Sequence, residues 1–374
     1  MKEQVTSRQM MFLLLLNRIA TVITVMPIIH MGPANQDIWI MMILSVFYCF
    51  LYNLPTLYLS IKFSDLTIIQ YMEKIFGKII GKALGILYGL YFIRIAIIYY
   101  FAEIQMIRTI FMDELHPLII IVVLMLVSVY VATRGLEVSV RTVEFFAPIV
   151  IASLILFIVL GFNNIDLTVL LPIIADSTFT SLNLGAMEAS LIFTDANLLS
   201  MSFPNLTNKK DVFKIVAKSK IYSQAIIILM VVASQVSLGI EQARHLNFPF
   251  LKYVRLVKTY SIFERMEAVF LTIWLIIVMT RAVSYLYISS KAFMEVYNQN
   301  NMDPFIYIIG IILTLVIFYI SYINPKFELL FNRDIQGYYY YITFNLIIPL
   351  IAILIYLIRR KDFRKLGKIK NKKI

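Results

Sequence analysis

The chain has 374 residues, of which 60% are hydrophobic and 15% are charged, a balance that soluble domains of this length do not normally carry. At about 20 residues per crossing, this apolar content suffices for about ten membrane-spanning helices and leaves little for a soluble domain. The composition therefore excludes an ordinary soluble domain and predicts an all-α integral membrane protein with a single transmembrane domain over residues 1–374.

The formal net charge of +12 is concentrated at one end of the chain, because nine of the 34 lysines and arginines lie in residues 359–373, directly behind an apolar stretch. This pattern is typical of the positive-inside rule and predicts a basic cytoplasmic tail over 359–374, with no nucleic-acid partner. The single cysteine, Cys49, lies inside an apolar run. We therefore expect neither a disulfide framework nor a metal site, and no cofactor.

Apolar runs of spanning length predict ten transmembrane helices. They cover Met10–Met31, Ile38–Ile61, Ala83–Met106, Leu118–Ala132, Thr142–Phe162, Leu182–Phe203, Ile215–Leu238, Val269–Ser289, Phe305–Ile323 and Tyr338–Ile358. If the N-terminus is cytoplasmic, the inside segments hold 23 of the 34 basic residues and the outside segments hold eight, with Lys220 and Lys291 counted inside. This asymmetry predicts that both termini are cytoplasmic.

Local patterns predict several boundaries. Thr6 and Gln9 have the spacing of a capping box before the first apolar run, and Pro117 suits the first turn of a helix. Between spans two and three, residues 67–82 alternate apolar and charged side chains. This segment is predicted to be one amphipathic helix that lies on the cytoplasmic interface.

No catalytic constellation is present, because the three histidines are far apart and the common nucleophile, zinc and phosphate-loop motifs are missing. We therefore expect no enzyme. Polar residues inside the spans are more informative, since each costs about 2.5–3.5 kcal/mol at the bilayer centre unless it faces a partner or a wet cavity. These residues are Arg18, Arg94, Glu103, Glu188, Asp195, Asn197, Thr280 and Arg281. For the arginines, pairing between helices and ligand binding are equally good interpretations. For Asp195, a functional role is favoured over a purely structural one. Arg18 and Asp195 are the candidate charge pair.

Asp195 lies in a stretch that is unlike the rest of span six. The segment Phe193-Thr194-Asp195-Ala196-Asn197 holds side chains that compete with helical hydrogen bonds, so the helix should unwind there. Span one has a weaker counterpart, with Thr21 and Thr24 before Pro27. Interrupted helices 1 and 6 predict a 5+5 inverted repeat, with one repeat over about 6–162 and the other over about 180–358, and a ligand site at the membrane midplane. A zwitterionic amino acid suits the helix ends at such a site.

Short motifs occur along nearly the whole chain. They are Ser7-Arg8-Gln9, Met26-Pro27, Asp37-Ile38-Trp39, Phe76-Gly77-Lys78, Arg134-Gly135-Leu136-Glu137 with Arg141 and Glu144, and Glu264-Arg265-Met266-Glu267 with Trp274. In this order, the motifs resemble the spore germination permease family, the B subunits of nutrient germinant receptors within the amino acid/polyamine/organocation transporter superfamily.

The resemblance implies a LeuT-like fold and a small-molecule germinant, commonly an amino acid. It also implies an A subunit and a lipoprotein C subunit as partners in the spore inner membrane. By position, the family's ligand pocket falls on Ala20, Thr21, Val22, Ile23, Tyr91, Ile95, Thr194, Asp195, Thr280 and Tyr285. Two alternatives stay open: an amino acid transporter coupled to protons or sodium, and a channel. The channel is less favoured, because no continuous polar stripe runs along several spans.

Overall fold

The computed structural model describes residues 3–25, 32–111, 116–161, 165–193, 195–246, 248–256, 266–323 and 335–360. Within these ranges the regular structure is helical, apart from one isolated parallel bridge between Val5 and Leu206. The helices are α1 (Ser7–Val25), α2 (Ile38–Lys62), α3 (Ile68–Phe76), α4 (Lys78–Phe111), α5 (Pro117–Thr133), α6 (Leu136–Leu160), α7 (Phe179–Leu191), α8 (Asp195–Ser202), α9 (Val212–Leu238), α10 (Ile240–His245), α11 (Pro249–Leu256), α12 (Met266–Val296), α13 (Asp303–Phe318), α14 (Ile335–Ile342) and α15 (Ile348–Ile358).

Seven helical segments of the described chain are long and apolar enough to cross a membrane. They are Asn35–Lys62, Lys78–Arg108, Leu136–Leu160, Lys209–Leu238, Ala268–Val296, Asp303–Tyr322 and Tyr339–Ile358. The other three predicted spans correspond to α1, to the shorter α5 and to the pair α7 and α8. The chain is therefore a helical multi-pass membrane protein, while the total of ten spans and the inverted repeat stay predictions.

Two predicted helix starts are confirmed. Thr6 and Gln9 form the capping box before α1, with the Thr6 backbone N–H donating to Gln9 Oε1 at 2.9 Å and the Gln9 backbone N–H donating to Thr6 Oγ1 at 3.2 Å. Pro117 occupies the first position of α5, where its missing N–H removes no intrahelical bond.

The predicted amphipathic helix over 67–82 is wrong in its extent. The observed helix, α3, is capped by Thr67 and ends at Phe76, because Gly77 adopts a positive φ of 88° and a new helix, α4, begins at Lys78. Only glycine adopts this conformation at little cost. The apolar face of α3 also contacts other helices: Tyr71 is fully buried, and its hydroxyl lies 3.1 Å from Ser200 Oγ on α8. Burial raises the pKa of the Tyr71 hydroxyl.

Span six is interrupted at the beginning of the stretch that the sequence predicts to unwind, whereas Asp195, Ala196 and Asn197 of that stretch are helical. The helix stops at Leu191 and restarts at Asp195, with Thr194 outside the described residues. Span one differs from the prediction, because α1 is continuous from Ser7 to Val25, through Thr21. The Thr21 hydroxyl donates to the Asn17 carbonyl one turn back at 2.9 Å, so it joins the helix instead of opening it. Met26 and Pro27 lie outside the described residues.

Several connections meet at one end of the bundle, here called the basic end. Glu3 Oε1 accepts a hydrogen bond from the Leu136 backbone N–H at 2.9 Å, at the turn between α5 and α6, and Glu3 Oε2 accepts one from the Tyr287 hydroxyl at 2.8 Å. Val5 pairs with the chain at Leu206, just after α8. The Arg359 guanidinium, behind α15, donates to the Ile75 carbonyl at 2.7 Å. The N-terminal segment, the α5–α6 turn and the end of α15 therefore lie where the sequence places cytoplasmic segments.

The charged side chains of α6 form two ion pairs. Arg141 pairs with Glu137 one turn away at 2.6 Å, while Glu144 pairs across to Arg8 of α1 at 3.4 Å. Both pairs are partly exposed, and such pairs contribute only about 0–1 kcal/mol each. Of the two, only the Arg8–Glu144 pair crosses between helices and joins α1 to α6.

Candidate functional site at the interruption between α7 and α8

The interruption between α7 and α8 places a carboxylate at the beginning of a helix in the middle of the protein. Asp195 is the first residue of α8 and is 5% exposed, and all eight residues of α8 are buried. A helix N-terminus carries partial positive charge, which stabilises a carboxylate at this position. The unwound segment therefore opens onto a buried, charged helix end.

Arg18 of α1 reaches Asp195 across the bundle. Its Nη1 lies 3.4 Å from Asp195 Oδ1, and the Arg18 side chain is 1% exposed. Its Nε donates to Ser223 Oγ at 2.8 Å and its Nη2 donates to Gln224 Oε1 at 3.0 Å, both on α9. The guanidinium also stacks over the Phe193 ring, with 3.8 Å from Cζ to the ring centre. The two residues that the sequence suggests as a pair are therefore in contact.

Lys220 of α9 is a second cation on the same carboxylate. Its Nζ lies 2.7 Å from Asp195 Oδ2, and Lys220 is fully buried. Both cations also donate to Cys49 Sγ, at 2.9 Å from Lys220 Nζ and at 3.1 Å from Arg18 Nη1. We call Arg18, Cys49, Asp195 and Lys220 the Asp195 cluster. The cluster therefore brings two side-chain cations to one carboxylate.

Lys220 corrects the assignment made from the sequence. The charge count treats it as part of a cytoplasmic loop, but α9 begins at Val212 and carries Lys220 into the protein interior. Lys291, counted in the same way, is 9% exposed and donates to the Met201 carbonyl at 3.1 Å. Lys220 lies within the predicted span Ile215–Leu238, so a signal was available for it, whereas Lys291 lies just beyond the predicted span Val269–Ser289.

The predicted pocket residues of α1 and α4 are buried. Ala20, Thr21, Val22 and Ile23 are all at most 6% exposed and belong to the continuous part of α1. On α4, Tyr91 and Ile95 are at most 2% exposed. The predicted position Thr194 lies outside the described residues.

Tyr91 belongs to a polar network that the sequence did not single out. Asn345 donates from Nδ2 to the Tyr91 hydroxyl at 3.0 Å and accepts at Oδ1 from Asn197 Nδ2 of α8 at 2.6 Å. Asn345 lies in a π-helical turn, Thr343–Ile347, between α14 and α15. Such turns recur at functional sites. Phe344, in the same turn, stacks on Tyr91 with 4.4 Å between ring centres.

The pocket positions predicted on α12 separate in the structure. The Tyr285 ring lies edge-on to Tyr99 of α4 with 5.1 Å between ring centres. Thr280 lines an apolar cavity of about 260 Å³ that α12 forms with α5 and α6, and its hydroxyl donates to the Ile276 carbonyl. The side chain of the next residue, Arg281, contacts α4 instead.

Arg281 and Glu103 form a second buried ion pair. Arg281 Nη2 lies 3.0 Å from Glu103 Oε1, both side chains are fully buried, and the guanidinium lies over the Tyr99 ring at 3.9 Å. This geometry agrees with the interhelical interpretation of Arg281. Among the described residues, no group of three or more histidine, cysteine, aspartate or glutamate side chains is placed to hold a metal ion.

Comparison with known proteins identifies the family. A family model described as "Spore germination protein" matches residues 4–327. The chain belongs to the spore germination permease family. Among curated members in Bacillus subtilis (strain 168), it is similar to spore germination protein KB, with 23% identity over 97% of both chains. It is also similar to spore germination protein A2, with 23% identity over 87% of this chain and 88% of that protein.

A solved transporter structure is similar in fold to this chain. The chain is similar to a Na⁺-coupled sialic acid symporter in a substrate-bound, outward-open state, with a TM-score of 0.60 over 86% of this chain and 75% of the symporter. Sequence identity is 16%, so the likeness concerns the fold: the germination permease has a transporter fold.

Proposed function

We propose that this chain is the transporter-like B subunit of a spore nutrient germinant receptor. It binds a small germinant, an amino acid, at the interruption between α7 and α8 and passes the signal to partner subunits. The observation that carries the proposal is the Asp195 cluster, a fully buried charged site at an interrupted helix in a member of a germination family. Asp195 and the neighbouring Thr194, Ala20 to Ile23 of α1, and Tyr91 and Ile95 of α4 form the proposed pocket.

The charge of the cluster favours an amino acid. Arg18 and Lys220 bring two positive charges to one carboxylate, and an uncompensated charge inside a membrane protein is costly. The carboxylate of an amino acid would supply the missing negative charge. Its ammonium group would suit the C-terminal end of α7, which carries partial negative charge.

The same arrangement disfavours sodium at Asp195. A cation that binds beside this carboxylate would meet the Lys220 ammonium 2.7 Å from Oδ2 and the Arg18 guanidinium 3.4 Å from Oδ1. Like charges at such distances repel by several kcal/mol even at an effective dielectric constant of about 20. Fixed side-chain cations therefore occupy the position that a mobile coupling ion would need.

The setting of the proposed receptor follows the family and the charge pattern. We propose that the chain lies in the spore inner membrane, with both termini and the basic end cytoplasmic. It would span the membrane ten times in a 5+5 repeat and act beside an A subunit and a lipoprotein C subunit. The basic end, where Glu3 and Arg359 contact the bundle, would be the surface available to cytoplasmic signals.

Germination dose-response curves test the proposed site. Tyr91→Trp adds volume to a side chain that is 2% exposed and packed on Phe344, and Thr194→Ala removes a side chain that favours the interruption. Both variants should raise the amino acid concentration that gives half-maximal germination, at an unchanged protein level.

Tyr339→Ala is the matched control, because this tyrosine is 64% exposed on α14 and should affect abundance at most. Immunoblots of spore membranes normalise each curve. An unchanged half-maximal concentration in both pocket variants would place the site elsewhere.

The transporter fold is also compatible with a second function, coupled transport of an amino acid. Uptake of radiolabelled amino acids into liposomes, with and without gradients of protons or sodium, separates the two functions. Strong coupled uptake, together with normal germination of a deletion strain, would favour the transporter. Saturable binding without uptake, together with a germination defect, would favour the receptor.

A further inference from the structure

A groove on the outside of the bundle lies apart from the Asp195 cluster. It has a volume of about 420 Å³ and lies between α2, α9 and α15 at the basic end. This volume is within the range of about 300–1,000 Å³ that is usual for small-molecule sites. Its walls include Leu54, Pro55 and Tyr58 of α2, Phe213 of α9 and Ile353 of α15.

The groove is open to the membrane side of the bundle. Leu54 is 45% exposed and Phe213 is 58% exposed, although both are apolar. An apolar wall of this kind is the surface that a hydrocarbon chain contacts in a bilayer.

Positive charge surrounds one end of the groove. Lys62 is the last residue of α2 and forms part of the wall, and its Nζ lies 5.6 Å from the centre of the Tyr58 ring. Segments 62–65 and 209–218 together hold five lysines and two aspartates. Asp65 is bound to Lys209 at 2.5 Å, while neither Lys62 nor Lys214 has a carboxylate partner among the described residues.

We propose that this groove binds an anionic phospholipid, with an acyl chain along the apolar wall and the headgroup phosphate beside Lys62. The two parts of such a lipid match the two parts of the site, because the apolar wall ends at a lysine near a helix terminus. Lysines near a membrane surface each favour anionic lipid by about fivefold. A second copy of the chain or a helix of a partner subunit would match the apolar wall but would leave Lys62 without a counter-charge.

Quenching of tryptophan fluorescence by brominated lipid tests the proposal in vesicles of full-length protein. Phe213→Trp places a reporter in the groove, and Leu126→Trp places one on the outer face of α5, at a residue that is 65% exposed. The signal of the two native tryptophans is subtracted with the wild-type protein. Vesicles of brominated phosphatidylcholine are then titrated with unbrominated phosphatidylglycerol.

At Phe213→Trp, phosphatidylglycerol should relieve quenching about fivefold more effectively than its mole fraction predicts. At Leu126→Trp, relief should follow the mole fraction. Adding Lys62→Gln to the groove reporter should remove the preference, whereas Lys78→Gln, at an exposed lysine that begins α4 at the same end, should retain it.

Three results would overturn the proposal. The first is equal preference at both reporters, which would mean ordinary annular lipid. The second is a preference for phosphatidylglycerol that survives Lys62→Gln, which would mean that Lys62 does not bind the headgroup phosphate. The third is a groove reporter that no brominated lipid quenches, which would mean that protein covers the groove.

Discussion

Removing the carboxylate of Asp195 should destabilise the protein far more than removing either of its cations. At an effective dielectric constant of about 20, the 2.7 Å contact with Lys220 and the 3.4 Å contact with Arg18 correspond to gross attractions of about 6 and about 5 kcal/mol. Desolvation offsets most of this attraction. Asp195→Asn leaves two buried cations facing each other, and we expect a loss of about 3–5 kcal/mol in the free energy of unfolding.

The test compares the free energy of unfolding of three variants. Lys220→Met leaves Arg18 paired with Asp195, so it should cost less than Asp195→Asn. In the double variant Lys220→Met/Asp195→Asn, Arg18 keeps its bonds to Ser223 and Gln224. The double variant should therefore be more stable than Asp195→Asn alone.

Unfolding by titration with SDS in mixed micelles, followed by circular dichroism, measures the differences. Glu137→Gln is the control, because its pair with Arg141 is partly exposed and should contribute less than about 1 kcal/mol. If the double variant is no more stable than Asp195→Asn, repulsion between the two cations is not the cause of the loss.

Two further predictions concern topology and the N-terminal segment. A cysteine at the exposed Lys210 should react with an impermeant maleimide only from the cytoplasmic face, and one at the exposed Gln242 of α10 only from the opposite face; labelling of both from one face would contradict the topology. Gly135→Ala should destabilise the protein more than Gly77→Ala in the SDS titration. Both glycines have a φ near +90°, but only at Gly135 would the added Cβ lie 2.2 Å from Glu3 Oε1, while at Gly77 it meets nothing within 4 Å. Equal losses would show that the Glu3 contact does not contribute.

The features that the sequence predicts correctly depend on local rules. Apolar runs of spanning length locate the long helices, and capping chemistry locates the start of α1 at Thr6 and of α5 at Pro117. The interruption before Asp195 also follows from local competition for backbone hydrogen bonds. Arg18 and Asp195 stand out because a charged residue in an apolar run needs a partner.

The missed features depend on tertiary context. Lys220 lies close to the start of a predicted span, and only the packing of α9 shows that its side chain is fully buried and contacts Asp195. From the sequence, Arg18→Ala would leave Asp195 as an unpaired buried carboxylate, whereas in the structure Lys220 still neutralises it. In the sequence, Cys49 is one residue of an apolar run. Only the structure shows that its sulfur accepts hydrogen bonds from Arg18 and Lys220. The π-helical turn that holds Asn345 has a local signal that the sequence analysis did not use: Pro349 lies four residues later and has no N–H to donate to the Asn345 carbonyl.

The contacts of α8 explain how an event at the interruption could reach the basic end. At its start, Asp195 is held by α1 and α9. In its middle, Asn197 is bound to Asn345 at 2.6 Å, and Ser200 lies 3.1 Å from the Tyr71 hydroxyl of α3. At its end, the Met201 carbonyl accepts from Lys291 of α12. Because every turn of this short helix is bonded to a different element, a ligand that shifts Asp195 must break or carry along contacts that lead to α3, α12 and the basic end.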